Sequence, residues 1–114
     1  MSVIKQHTFQ NAAIETGNGT ELAITFNYDD SITLVFEITG TSDSRTVVFE
    51  GAGISGNYVA CLCTNVTSGA TASQTTASGE IYRVNLTGLS KFRTRLSAIA
   101  GEGANISVKG TLVG

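Results

Sequence analysis

From Glu21 to Thr39 the chain reads ELAITFNYDDSITLVFEIT, in which Leu22, Ile24, Phe26 and Tyr28 alternate with polar residues and Ile32, Leu34, Phe36 and Ile38 do so again. A period of two puts every second side chain on one face of a strand, so the stretch predicts a hairpin with one apolar face. A two-residue turn at Asp29-Asp30 would throw the two apolar sets to opposite faces. A three-residue loop over 29–31 instead sets Tyr28 opposite Ile32, Phe26 opposite Leu34 and Ile24 opposite Phe36, and this is the expected register. A second hairpin is predicted in the C-terminal third, where EIYRVNLT, the loop GLS and KFRTRLSAI follow one another. Its register pairs Leu86 with Phe92, Val84 with Thr94 and Tyr82 with Leu96 on a core face. On the outer face Arg83 then stands opposite Arg95 and Asn85 opposite Arg93, with Lys91 next in line.

Between these hairpins, strands are predicted at Arg45–Glu50, closed by the glycines at 51 and 53, and at Asn57–Cys63. Val47, Val48 and Phe49 are consecutive, and NYVACLC is apolar on both faces, a pattern of central or covered strands. Residues 64–79 are small and polar apart from Val66, which predicts a long loop or weak edge strand and the loosest part of the chain. Asn105–Val113 alternates again, and residues 3–15 supply one strand more. Seven or eight strands at about ten-residue spacing, with glycine turns and no helical period, predict an all-β fold, an antiparallel β-sandwich of jelly-roll-like or Ig-like layout.

At 114 residues the chain is expected to form a single β-sandwich domain, 1–114. It is 41% hydrophobic and only 14% charged, a balance opposite to that of disordered chains. Polar positions are filled mainly by Thr and Ser, and β-branched Thr favours strands. No apolar run approaches the roughly 20 residues of a membrane span, and MSVIKQHTFQ lacks the apolar core of a signal peptide, so synthesis in a cytoplasm and no membrane partner are expected. A pI near 5.2 argues against broad nucleic-acid binding. The charge is uneven: residues 1–79 carry seven acids and two bases, net −5, and residues 80–114 carry two acids and five bases, net +3.

Little in the chain resembles catalytic chemistry. Cys61 and Cys63 would sit about 6.5 Å or more apart on a strand, where a disulfide strains the backbone, and a zinc site would need two more ligands. They are expected to be buried, reduced thiols. His7 has no nucleophile motif to serve, and a solvated or capping role is expected. Asp29 and Asp30 read as turn formers rather than as a metal or glycosidase pair. The glycine pairs at 51 and 53 and at 101 and 103 do not lead from a strand into a helix, as phosphate loops do. No enzyme activity, metal or cofactor is therefore expected. Two surfaces remain. Arg83, Lys91, Arg93 and Arg95 on one sheet face would form either an interface for an acidic partner, such as the acidic half of a second copy, or an internal ladder with Glu37, Glu50 or Glu80. Tyr28 and Tyr58 are candidates for sugar stacking, against core packing as the alternative.

Residues 47–114 resemble a small β-sandwich module recurrent in the virion proteins of tailed bacteriophages and prophages. The resemblance is carried by Phe49-Glu50-Gly51, Thr64 to Gly69, Tyr82-Arg83-Val84, Gly88-Leu89-Ser90-Lys91, Arg93, Arg95-Leu96-Ser97 and Gly110. Relatives often carry D-G-x-x-W after the first of these motifs. Here residues 54–58 read ISGNY, with Tyr58 in the place of the Trp. The resemblance implies a non-enzymatic virion component, a head decoration, head fibre or tail accessory module, that self-associates as a homo-oligomer and docks to other virion proteins. A small carbohydrate-binding module for cell-surface attachment is the alternative.

Overall fold

The computed structural model describes residues 4–24 and 32–113. Twelve strands follow one another without a helix among them: β1 (Ile4–Ala13), β2 (Gly17–Asn18), β3 (Leu22–Ala23), β4 (Thr33–Thr41), β5 (Ser44–Ala52), β6 (Tyr58–Ala60), β7 (Cys63–Asn65), β8 (Thr71–Ala72), β9 (Gln74–Thr75), β10 (Glu80–Asn85), β11 (Lys91–Ala100) and β12 (Asn105–Val113). Two antiparallel sheets face each other. The first has the order β1-β12-β4-β10-β7-β8, and the second has β2-β11-β5-β6 with β3 also on β11 and β9 also on β5. The sandwich is thus as expected, but its strands exceed the seven or eight predicted because four of them are only two residues long. Short polar segments leave no alternation to read.

Alternation located the buried faces correctly and the partners wrongly. Tyr82, Val84 and Leu86 are buried, and so are Phe92, Thr94 and Leu96. Yet β10 pairs with β4 and β7 in the first sheet while β11 pairs with β5 in the second, so the two rows meet across the core instead of side by side. The predicted 80–99 hairpin is an arch between sheets. Likewise Phe36 pairs with Tyr82 and Gly110, Leu34 with Val84 and Leu112, and Leu22 with Phe92, so Ile24 does not lie opposite Phe36. The Ile24 amide instead donates to the Ser90 carbonyl at 2.9 Å. Phe26, Tyr28 and the loop at 29–31 lie outside the described residues. The physical reason is general: one apolar face per strand is the same whether the neighbour is beside it or across the sandwich.

The core is organised by rings. Phe36 lies 5.1 Å from Phe49 and 5.9 Å from Tyr82, with Phe9 and Phe92 at 6.4 and 5.8 Å between centroids. Val47, Val48 and Phe49 are all buried on the central strand β5, as their consecutive run predicts. The predicted strand at 57–63 is divided between the sheets: Tyr58–Ala60 pairs at the open edge of the second, with Val59 and Leu62 exposed, whereas Cys63 is buried and already pairs with Ala72 in the first.

Both seams between the sheets are laced by the short strands. On one side the Gly19 amide donates to Thr94 O of the second sheet at 2.7 Å, and the next amide, Thr20, donates to Phe9 O of the first at 2.8 Å. A Cβ on Gly19 would stand 2.6 and 2.8 Å from those two oxygens, so only glycine fits this close approach. On the other side the chain passes from β8 on β7 to β9 on β5, with Phe49 N donating to Ser73 O at 2.8 Å. The stretch 64–79 is accordingly tied down: Glu80 accepts from the Thr75 hydroxyl at 2.6 Å and from Asn65 Nδ2 at 2.9 Å, and Arg45 Nη1 donates to Thr76 O at 3.0 Å.

Two substitutions test this packing. Thr94 is fully buried and its hydroxyl has no hydrogen-bond partner among the described residues. Burying an unsatisfied hydroxyl costs about 1–3 kcal/mol, so Thr94→Val should leave stability unchanged or raise it by about 1 kcal/mol in urea unfolding. Gly40 has φ +135, and a Cβ there would collide with Asn105 O and stand 2.9 Å from Ile106 Cα. Gly40→Ala should lower stability by at least about 2 kcal/mol in the same measurement.

Candidate functional site

Period two on β11 sends Phe92, Thr94 and Leu96 inward and leaves Lys91, Arg93 and Arg95 in a row on the outer face of the second sheet. The register then decides what they meet. Arg93 lies across from Glu50 on β5, and Lys91 lies across from Ala52, beyond which stands Tyr58 on β6. Arg93 Nε donates to Glu50 Oε1 at 2.9 Å, and Arg95 Nε approaches the same oxygen at 3.4 Å. The Arg93 guanidinium also covers the Tyr58 ring, its Cζ 3.8 Å from the centroid. Tyr58 in turn donates its hydroxyl to Glu21 Oε2 at 2.8 Å, and Lys91 Nζ reaches Glu21 Oε1 at 3.6 Å. The result is one continuous chain, Arg95 to Glu50 to Arg93 to Tyr58 to Glu21 to Lys91.

Of the four predicted bases, three therefore share a face and Arg83 does not. Arg83 lies on β10 in the other sheet, opposite Val35 and Thr64, and is exposed. Only a β10–β11 hairpin would set it on that face, and the two strands lie in different sheets. Of the three acids considered as internal partners, Glu50 carries the ladder, whereas Glu80 serves the Thr75, Tyr82 and Asn65 cluster. Glu21 was missed. It is near in space through the β3–β11 pairing, which no sequence period reveals. Tyr28 lies outside the described residues. One face of Tyr58 is occupied by Arg93 and its hydroxyl by Glu21, so its ring is part of the ionic chain.

The electrostatics follow from these contacts. The Tyr58 hydroxyl, and then the Lys91 and Arg93 charges, hold the exposed Glu21 carboxyl below its ordinary range against an opposing desolvation effect. Burial first, and then the bond to Glu21 and its charge, push the Tyr58 phenol up to about 12. His7 Nε2 donates to Thr20 O at 2.9 Å and sits edge-on to Phe9, holding the first seam as a capping residue. Both cysteines are free. Cys63 is buried as expected, while Cys61 is only half-buried. The Cys63 thiol, hydrogen-bonded to Cys61, lowers the Cys61 thiol to about 7 against the opposing effect of burial. That same bond, burial and the Cys61 charge raise Cys63. No cluster of three or more His, Cys, Asp or Glu stands together among the described residues.

A two-sheet antiparallel sandwich with arch connections and laced seams defines the class of this protein: a small all-β module of the kind found in prophage-derived proteins. Residues 4–112 match the family model described as XepA, and the chain belongs to the XepA family. The crystal structure of the SPBc2 prophage-derived protein YomS superposes with TM-score 0.87 at 25% identity, covering 100% of this chain and 96% of YomS. The PBSX exported protein XepA superposes with TM-score 0.88 at 25% identity over 99% of this chain, which spans 38% of that protein. No curated protein matches the sequence.

The ladder makes two predictions. Glu50 has a side chain only 12% exposed and holds two arginines, so Glu50→Gln should cost about 1–3 kcal/mol in chemical denaturation, whereas Arg83→Gln should stay within about 0.5 kcal/mol. The raised Tyr58 phenol means that the folded state prefers its protonated form. The stability it contributes is therefore complete below the ordinary value of 10 and is lost as pH climbs from 10 through about 12. Phenolate absorbance should show a late-titrating tyrosine in the folded protein whose signal is lost in Tyr58→Phe.

Proposed function

We propose that this chain is a non-enzymatic structural component of a phage or prophage particle, made in the bacterial host cytoplasm and carried in the virion as a head decoration, head fibre or tail accessory module. One observation carries the reading: this chain and the prophage protein YomS are nearly coextensive copies of the same sandwich, so the folded module itself is the functional unit. The surface chemistry suits docking better than turnover. Its most concentrated charges are already paired within the chain, and its Thr- and Ser-rich faces offer hydrogen bonds to a partner surface.

Self-association is part of the reading, and the ladder changes where it would occur. Because Lys91, Arg93 and Arg95 already have internal partners, the bare apolar edge is the better contact. Ile54 is fully exposed, and Val59 and Leu62 are about two-thirds exposed, all at or beside edge strand β6. An open strand edge with apolar side chains is a ready pairing surface.

Particles induced from a host carrying the gene should contain this chain at constant stoichiometry through density-gradient purification; its consistent loss from intact particles would overturn the assignment. Sedimentation should show an oligomer that persists at high salt and that Leu62→Lys shifts toward monomer. Glycan-array binding abolished by Tyr58→Ala would instead favour the cell-surface sugar reader.

A further inference from the structure

Cys61 and Cys63 stand where the chain leaves the edge of the second sheet for the first. The Cys61 amide still donates to Phe49 O on β5 at 2.8 Å, whereas Cys63 already pairs with Ala72 on β8. Residues 61 and 62 themselves belong to neither β6 nor β7. The pair thus straddles the break between two strands rather than occupying alternate positions of a single strand. The Cys63 thiol points back at the Cys61 carbonyl oxygen, 3.8 Å away. Cys61 lies over Gly51, its Sγ 3.6 Å from where a Cβ would stand on that glycine, and it is half-buried; Cys63 is 1% exposed.

We propose that Cys61 and Cys63 form an oxidisable dithiol, a covalent modification site at which Cys61 takes small disulfide compounds and Cys63 then closes an internal Cys61–Cys63 bond. The access is asymmetric, and it fixes the order of events. Cys61 attacks as thiolate one sulfur of a disulfide such as glutathione disulfide. The S–S bond breaks, one glutathione leaves as thiolate and takes a proton from water, and Cys61 becomes a mixed disulfide. Cys63 then releases its proton to solvent and attacks Cys61 Sγ, and the second glutathione leaves. In sum the protein gives up two protons and two electrons, and one glutathione disulfide becomes two thiols. The product staples the end of the open edge to the strand of the opposite sheet, beside exposed Val59 and Leu62.

The folded chain treated with glutathione disulfide, and followed by intact mass and thiol titration, tests this. The expected result is loss of both thiols together, a mass lower by two hydrogens, no lasting glutathione adduct and full reversal by dithiothreitol. Cys63→Ser should stop at one bound glutathione, and Cys61→Ser should not react while folded. Circular dichroism melts of each variant confirm that it is the folded protein that reacts. A wild-type chain that halts at the mixed disulfide, that keeps both thiols, or that forms a Cys61-linked dimer on a non-reducing gel overturns the proposal.

Discussion

Phe36 touches the rings of Phe9, Phe49, Tyr82 and Phe92, two from its own sheet and two from the sheet opposite, and the rest of the structure depends on that contact. Each aromatic side chain buries roughly 150–250 Å², and ring pairs add about 0.5–1.5 kcal/mol beyond area. In a chain with only eight such residues no other group could join the sheets as strongly. Once Phe36 faces the second sheet, period two fixes Leu34 and Ile38 inward, and their neighbours on β10 and β12 follow. Gly110, opposite Phe36, carries no side chain because one would stand 3.1 Å from Phe36 Cβ and 2.8 Å from Leu34 Cδ1. The packing thus dictates a glycine in a strand that otherwise alternates with branched residues.

The same register orders the outside. With Thr94 held inward against β5, Arg93 and Arg95 must both point outward, two bases on one short run. Unpaired, they would repel across roughly 7 Å. Glu50, one strand over, lies between them, and the Tyr58 ring takes the face of the guanidinium left uncovered. Arg rather than Lys suits this place because a planar cation can donate to a carboxylate and stack on a ring at once. Lys91, at the end of the row, meets Glu21 only because the two-residue β3 brings that segment onto β11. A seam-lacing strand is therefore also an electrostatic element.

How much of this was legible in the sequence can be argued from single positions. Tyr82, Val84, Leu86, Phe92 and Leu96 were readable as core because alternation is a local property. Their partners were not, because pairing beside and packing across leave the same alternation, and the loop GLS is short enough for either a hairpin or an arch. That ambiguity moved Arg83 onto the wrong face while leaving Lys91, Arg93 and Arg95 correctly together. Glu50 was readable as a possible ladder partner; Glu21 was not, since nothing in GNGTEL marks it as a strand on β11. The family resemblance was anchored in turn glycines and core positions, which transfer a fold, and the match over residues 4–112 extends it across nearly the whole chain.

Small sandwiches expose strand edges, and an edge is a template for unplanned pairing. This chain closes most of that risk with segments too short and polar to be seen as strands: 17–23 on one side and 71–75 on the other, each bonded to both sheets or passing between them. Against that economy the treatment of β6 is distinctive. It is three residues long, pairs on one side only, and is followed by Leu62 exposed between two thiols. Had the fold needed only closure, a polar segment like residues 71–75 would have served there too. Apolar side chains stand at this open edge beside the two thiols, so a bond between Cys61 and Cys63 would act directly on the shape of the edge proposed for contact.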